Sequence, residues 1–343
     1  MPSPLQPLAN PPNPWASTDV EYLDGARPLA ELQVYEDKTR NVLAHNDSPD
    51  VRFDWSVNPY RGCFHACAYC YARPSHEYLS FGAGTDFERK IVVKTRAPEI
   101  LREAFDHSGW KGEVVAFSGV TDCYQPLEAS YRLTRRCLGV CVEYRNPATL
   151  ITKSSLIERD IDILQEMGRV TRVGVMISVP FWDETKARAI EPFVTTPARR
   201  VRTIERLAKA GVRVGVMVAP IIPGLNDEDI AKVLRAARDA GATCAGKVLL
   251  RLPGSVKDVF EERLRNALPL RAERVLGRIR ETRGGKLYDS RFALRGRGEG
   301  AYADAIATLF DQTARQLGYE SGEAPDSEAP TPFRRPRGQL ALF

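Results

Sequence analysis

No run of apolar residues in this chain approaches the ~18 that a membrane span requires. The N-terminus also lacks the basic stretch and apolar core of an export signal. Both absences point to a soluble, cytoplasmic chain. Cysteines are few, seven in 343 residues, and no second tight pair accompanies the one cluster they form. A disulfide framework is excluded on that count, because such frameworks belong to small chains in oxidising compartments. A closed structural zinc site normally takes two separated ligand pairs, and here it would have to recruit His65, His76 or a distant cysteine. No internal repeat of fixed period is present, so a solenoid is excluded. Charge of neither sign dominates: the net value is +5 with a pI near 8.8, a mild basic bias that alone identifies no partner.

What is present begins between two ends with little to bury. MPSPLQPLANPPNPW holds six prolines before Trp15 and no periodic apolar pattern, and the tail ESGEAPDSEAPTPFRRPRG runs acidic, then proline-rich, then basic. The basic FRRPRG piece is a solvated tail or a contact for a partner. Between the ends, β-branched runs alternate with amphipathic stretches, the pattern of βα units and a parallel sheet. The strand candidates are residues 53–57, GEVVAFS at 112–118, ATLIT at 148–152, TRVGVMIS at 171–178, VRVGVMVAP at 212–220 and KVLLRL at 247–252. Their near-continuous apolar character suits strands buried on both faces. Thr196 followed by Pro197 predicts an N-capped helix ending at Gly211, and Asn226 predicts the cap of a second helix.

The stretch NPYRGCFHACAYCYAR carries Cys63, Cys67 and Cys70 in CxxxCxxC spacing, three thiolates on one short loop. Cysteine thiolates hold [4Fe-4S] clusters, and a loop offering three leaves one iron open to a small molecule. At this loop the sequence resembles the radical S-adenosylmethionine (radical SAM) superfamily, whose signature is CxxxCxΦC with an aromatic Φ, here Tyr69. The form CAYCYAR, with Tyr71 after the third cysteine, looks more narrowly like spore photoproduct lyase and the bacterial DNA repair photolyase-like proteins grouped with it.

The resemblance implies an α/β fold, an incomplete (β/α)6 radical SAM barrel. The expected division is a mostly disordered leader at 1–45, the barrel with a C-terminal helical extension at 46–317 and a disordered tail at 318–343. It implies a [4Fe-4S] cluster and S-adenosyl-L-methionine as cofactors, and an electron donor of flavodoxin or ferredoxin type as a partner. It further implies reductive cleavage of SAM to a 5'-deoxyadenosyl radical that abstracts hydrogen from a substrate.

Reactive groups gather at the C-terminal ends of parallel barrel strands, and the other site candidates stand there. After the second strand, Ser118-Gly119-Val120-Thr121-Asp122 replaces the GGE-like element that holds the SAM amino group in the superfamily. Gly119 suits close backbone approach, and Thr121 or Asp122 is placed to accept from the ammonium; an ordinary turn is the alternative. Lys153, after the third strand, matches a Thr-Lys of the lyase family that contacts SAM; a solvent lysine is the alternative. Ser178, ending the fourth strand, is a looser match, and a buried serine bonded to backbone reads equally well. Tyr69 is a candidate to pack the adenine or the cluster edge, and the resemblance gives Tyr71 a part in hydrogen-atom transfer. The lyase's hydrogen-donating cysteine aligns with Gly119, and Cys123 lies four residues later. Cys137 and Cys141, spaced i and i+4, share one helix face, where buried thiols act as small apolar groups; a second cluster is the alternative. Cys244 stands alone and reads as structural.

For substrate, the lyase resemblance and six basic residues between Arg280 and Arg297, against only Glu281 and Asp289, favour nucleic acid. A protein or peptide substrate is the alternative within the same enzyme class, and a non-catalytic iron-sulfur sensor or structural protein is the alternative outside it.

Overall fold

The computed structural model describes residues 32–51, 53–320 and 330–336. Among these residues ten strands form two sheets. β1 (Gln33–Glu36) runs parallel to β5 (Lys90–Val93), and β4 (Tyr60–Arg61) pairs β5 on its other side. The main sheet starts at β2 (Leu43–His45), antiparallel to β3 (Trp55–Val57). From β3 onward all strands are parallel and adjacent in chain order: β6 (Val115–Phe117), β7 (Ala148–Thr152), β8 (Val173–Ser178), β9 (Val214–Ile221) and β10 (Cys244–Leu249).

These are the six expected strands. Sequential order with every strand parallel is the topology of a (β/α)6 barrel left open, here between β10 and β2. Apolar residues of the helix-facing side explain it: Val115, Phe117, Leu150, Val175, Ile177, Val216 and Val218 share one face of the sheet by register and are buried in one core with the helices outside. The sixth strand begins three residues earlier than its apolar run. Gly215 and Gly246 admit the side chains of Cys244, Met176 and Met217 at the bottom of the sheet, where a Cβ would stand within 2.4 Å of sulfur. Arg251 therefore lies beyond the strand, on the barrel mouth.

Helix starts follow local chemistry in one case and tertiary chemistry in the other. Thr196 caps Pro197–Lys209 as its sequence predicts, its hydroxyl accepting from Arg199 N at 3.4 Å. Asn226 does not cap: its side chain is buried and bonds Ile222 N, Pro180 O and Pro220 O at 2.6, 2.7 and 3.0 Å. It ties the end of β9 to the loop after β8, and the helix Ile230–Asp239 starts after an intervening turn.

Both ends carry more structure than their composition implies. Strands β1 and β2 fall inside the stretch read as leader; residues 1–31 of that leader lie outside the described residues. Residues 330–336 of the tail dock on the barrel instead of trailing in solvent. Among the described residues no helix is long and apolar enough to cross a membrane.

Candidate active site

The chain leaves β3, forms β4 and winds into the cysteine loop, so the loop sits at the C-terminal end of the first barrel strand. Gly62 turns it with φ +78°, and a Cβ there would stand 2.8 Å from His76 Cε1 and 2.9 Å from Phe87 O. Gln125, fully buried, donates to Gly62 O at 3.0 Å and accepts from Phe64 N at 3.1 Å. Arg73 is also fully buried, and its five donors are all used. Nε and Nη2 reach Cys67 O at 3.2 and 2.9 Å, Nη1 reaches Ala83 O and Gly84 O at 2.8 and 3.0 Å, and Nη2 also reaches Glu88 Oε1 at 2.6 Å.

Cys63 and Cys67 are buried, Cys70 is partly exposed, and all three are free thiols. Burial pushes each thiol up; Asp122 and the other two thiolates push Cys63 further, Glu191 and the Cys70 thiolate push Cys67, and Asp122 pushes Cys70. The Lys153 ammonium acts in the opposite sense on Cys67 and Cys70, and Arg73 does so on Cys70. Three thiolates in so dry a place need more positive charge than Lys153, Arg73 and Arg200 bring, and iron would supply it. The donor set thus fits a cluster. Among the described residues no three His, Cys, Asp or Glu side chains close round a single metal ion, and ligands that meet separate corners of a cluster need not do so.

The loop after β6 joins three strand ends. A Cβ on Gly119 would stand 2.7 Å from Ser56 Cβ, and the next amide, Val120 N, donates to Asn58 Oδ1 at 2.8 Å. Ser118 lies in the left-handed region at φ +77°, its hydroxyl accepting from Cys123 N at 2.9 Å. Thr121 is buried and donates to Tyr60 O at 2.9 Å. Asp122 accepts from Thr152 Oγ1 at 2.6 Å, Tyr124 N at 2.9 Å and Lys153 N at 2.9 Å, with His65 Nδ1 at 3.5 Å. Burial pushes the Asp122 carboxyl up, but His65, Thr152 and the Lys153 amide outweigh it and hold it at about 2. Asp122 and Lys153, predicted separately, are thus in direct contact.

Tyr69 is buried, its hydroxyl on Glu191 and its ring 5.7 Å from Lys153 Nζ. Glu191 pairs with Arg200, whose Nη1 donates to Ser178 O at 3.1 Å and whose Nε donates to Thr195 O at 2.6 Å. Ser178 is buried and held through its carbonyl. Tyr71 points the other way: it is 48% exposed, its hydroxyl donates to Gly119 O at 2.8 Å, and Arg251 Cζ stands 5.7 Å from its ring centroid. All the predicted site residues therefore lie around one mouth. Sequence reasoning missed Arg73, Gln125, Glu191, Arg200 and Arg251; only Arg73, inside the motif itself, carried a local signal.

The remaining cysteines stay apart. Cys123, Cys137 and Cys141 are buried in the main core, and Cys244 lies at the start of β10 with Sγ 3.7 Å from Met176 Sδ. The basic run is divided. Arg283 is buried on Leu294 O, Leu250 O and Arg295 O, Arg291 pairs with Asp289, and Arg295 pairs with Asp50. Arg283 and Arg295 hold the fold and Arg291 is tied to its neighbour Asp289, which leaves Arg280, Lys286 and Arg297 without a side-chain hydrogen bond or ion pair among the described residues. The segment is not a free basic surface along its length.

The mycobacterial relatives, uncharacterized proteins of Mycobacterium tuberculosis and Mycobacterium bovis, are 38% identical over 210 residues, 61% of this chain and 62% of theirs. The chain thus spans under two thirds of their length. An uncharacterized protein of Methanocaldococcus jannaschii is 27% identical over 198 residues, 58% of this chain and 71% of its own. Among solved structures, spore photoproduct lyase complexed with dinucleoside spore photoproduct superposes with a TM-score of 0.58 at 16% identity, covering 84% of this chain and 80% of that one. A mutant of that lyase with bound AdoMet and the dinucleoside gives 0.52 over the same coverage and at the same identity. These likenesses show a shared fold. The sequence model of the Radical SAM superfamily matches residues 57–237, from the end of β3 into the helix before β10. Since that match takes in more than half of the chain and begins just ahead of the three-cysteine loop, the protein belongs to the radical SAM superfamily, enzymes that work with a [4Fe-4S] cluster and S-adenosylmethionine.

Proposed function

We propose that the protein is a cytoplasmic radical SAM enzyme acting on nucleic acid, in photolyase-like repair or base modification, with Cys63, Cys67 and Cys70 as the cluster ligands. The observation that carries the reading is the cysteine loop at the end of β3, fixed by Arg73 and Gln125 and opening on the ends of β6, β7 and β8. A [4Fe-4S] cluster held there by Cys63, Cys67 and Cys70, and re-reduced by a flavodoxin- or ferredoxin-type donor, would supply the electron for reductive cleavage of bound SAM to a 5'-deoxyadenosyl radical. The chain's own residues bind and orient. Lys153 offers a cation for the SAM carboxylate, the Ser118-Gly119 turn offers backbone at close range, and Tyr69 and Ser178 form the buried wall. Tyr71, half-exposed beside the third cysteine, is the candidate for hydrogen-atom transfer. The nucleic-acid part draws on the shared fold with spore photoproduct lyase, whose complex holds a dinucleoside lesion.

The test is anaerobic reconstitution with iron and sulfide, followed by dithionite and SAM, with 5'-deoxyadenosine read by mass spectrometry. Product that disappears in Cys70→Ala supports the ligand assignment. A cluster retained by Cys70→Ala with undiminished product defeats it. Oligonucleotide binding that falls steeply with salt supports the substrate class, and turnover of a peptide alone defeats it.

A further inference from the structure

Arg251 is the first charged residue beyond β10, the last barrel strand, so it stands on the same mouth as the cysteine loop. Its Cζ is 5.7 Å from the ring centroid of Tyr71, which is itself half-exposed. A guanidinium over an aromatic ring is oriented but keeps its N–H donors. Among the described residues those donors are unused: Nε is buried with no hydrogen-bond partner, and Arg251 makes no ion pair. Its neighbours differ. Arg283, also close to Leu250, is spent on three carbonyl oxygens, and Arg295 holds Asp50. Asp50, the carboxylate that feels Arg251, already accepts from Ala293 N at 2.7 Å as well. Four residues on, Ser255 Oγ is likewise buried without a partner, and Gly254 between them approaches Pro74, next to the cysteine loop.

A buried donor left unpaired is costly, and a planar guanidinium matches an oxyanion through two parallel hydrogen bonds. We propose that Arg251 binds a phosphodiester group of the substrate strand beside Tyr71, and so sets where the strand lies over the cysteine loop. This rests on the nucleic-acid reading given above and adds the residue that grips the backbone. It also moves the contact away from the Arg280 to Arg297 run, half of whose cations are already bonded within the chain.

The experiment compares wild type, Arg251→Ala and Arg251→Lys as reconstituted full-length holoenzymes. Three quantities are read: iron content, SAM affinity by equilibrium dialysis, and affinity for a labelled single-stranded oligonucleotide across a salt series. Arg251→Ala should bind the oligonucleotide roughly tenfold more weakly, with the log–log salt slope shallower by about 0.7. Arg251→Lys should keep the slope but not the full affinity, because lysine lacks the paired donors. Iron content and SAM affinity should match wild type in both variants. Wild-type affinity and slope in Arg251→Ala would overturn the assignment while leaving the nucleic-acid reading intact. Loss of SAM affinity would overturn it too, giving the guanidinium to the SAM carboxylate. Wild-type holoenzyme that binds no oligonucleotide would remove the nucleic-acid reading itself, and this assignment with it.

Discussion

Two single residues set the geometry of the site, and each makes a sharp prediction. Arg73 is a buried cation bonded on one side to Cys67 O and on the other to Glu88. Removing it leaves several carbonyls without their donor and Glu88 with only Arg263, 3.7 Å away, in a dry site, a change that costs about 3 kcal/mol. Arg73→Ala should therefore lower the apo protein's stability by that amount in urea and should reconstitute with less iron, while Arg73→Lys, with a single point charge in place of a fork, should recover only part. Gly119 is the second case. An alanine there brings Cβ to 2.7 Å from Ser56 Cβ and 2.8 Å from its Oγ, on a strand that cannot retreat. Gly119→Ala should cost about 1–3 kcal/mol of stability and displace the turn after β6, so that SAM affinity measured by dialysis falls while iron content holds. The cysteines were legible because their spacing lies within one loop. Arg73's acceptors could not be read, since Ala83 and Glu88 meet it only once the loop is folded. Gln125 and Glu191 were further out of reach, 61 and 122 residues from the partners they hold.

At the scale of elements, buried charge joins pieces that local propensity treats as separate. The short turn Ser155–Asp160 holds the helix Pro197–Lys209 through Glu158, which accepts from Arg199 Nη2 at 2.8 Å, Thr203 Oγ1 at 2.7 Å and Arg206 Nη1 at 2.7 Å. Burial pushes the Glu158 carboxyl up, but those three donors outweigh it and bring it below the usual glutamate range. A carboxyl whose folded pKa is depressed contributes stability above its unfolded pKa and loses it as pH falls through the folded one. Glu158→Gln should thus be less stable than wild type at pH 7 by about 1 kcal/mol, since Arg206 is largely exposed and its share is screened. The gap should close below about pH 4, as read by urea midpoints across a pH series. Strands were the most legible elements, because β7 and β8 are apolar runs with few other conformations open to them. The cap at Thr196 was legible for the same local reason. Asn226 was not: its side chain satisfies a junction between β8 and β9 that exists only in the folded sheet, and that demand displaces the capping role its sequence position suggests.

The whole molecule is closed by segments that composition alone marks as loose. On the barrel's open side, residues 48–50, which follow β2, take hydrogen bonds from Ala293 and Arg295, beside β10. At the end away from the cysteine loop, the tail residues 330–336 lie against the C-terminus of the helix Ala97–Asp106, the loop that follows it and Tyr144. Thr331 Oγ1 donates to Gly112 O at 2.7 Å, Phe333 stacks 6.2 Å from Tyr144 and meets Phe105 edge-on, and Arg335 reaches the carbonyls of Phe105, His107 and Trp110 at 3.0, 2.7 and 3.1 Å. That guanidinium lies at the C-terminus of the helix Ala97–Asp106, where exposed carbonyls favour a cation. The FRRPRG sequence gave only its charge, because the surface that receives it is assembled from Phe105, Trp110 and Tyr144, which no local pattern links. Truncation after Glu320 should lower stability by about 1–2 kcal/mol, the scale of one partly buried aromatic plus a few charged hydrogen bonds, less the ordering of the segment. Phe333→Ala alone should reproduce most of that loss, and combining it with Arg335→Ala should add less than the sum, because the two side chains touch. Iron content and SAM affinity should be unchanged in both, since that surface and the cysteine loop lie at opposite ends of the strands. A truncated chain as stable as the full one in urea would show that the tail contributes nothing to the fold.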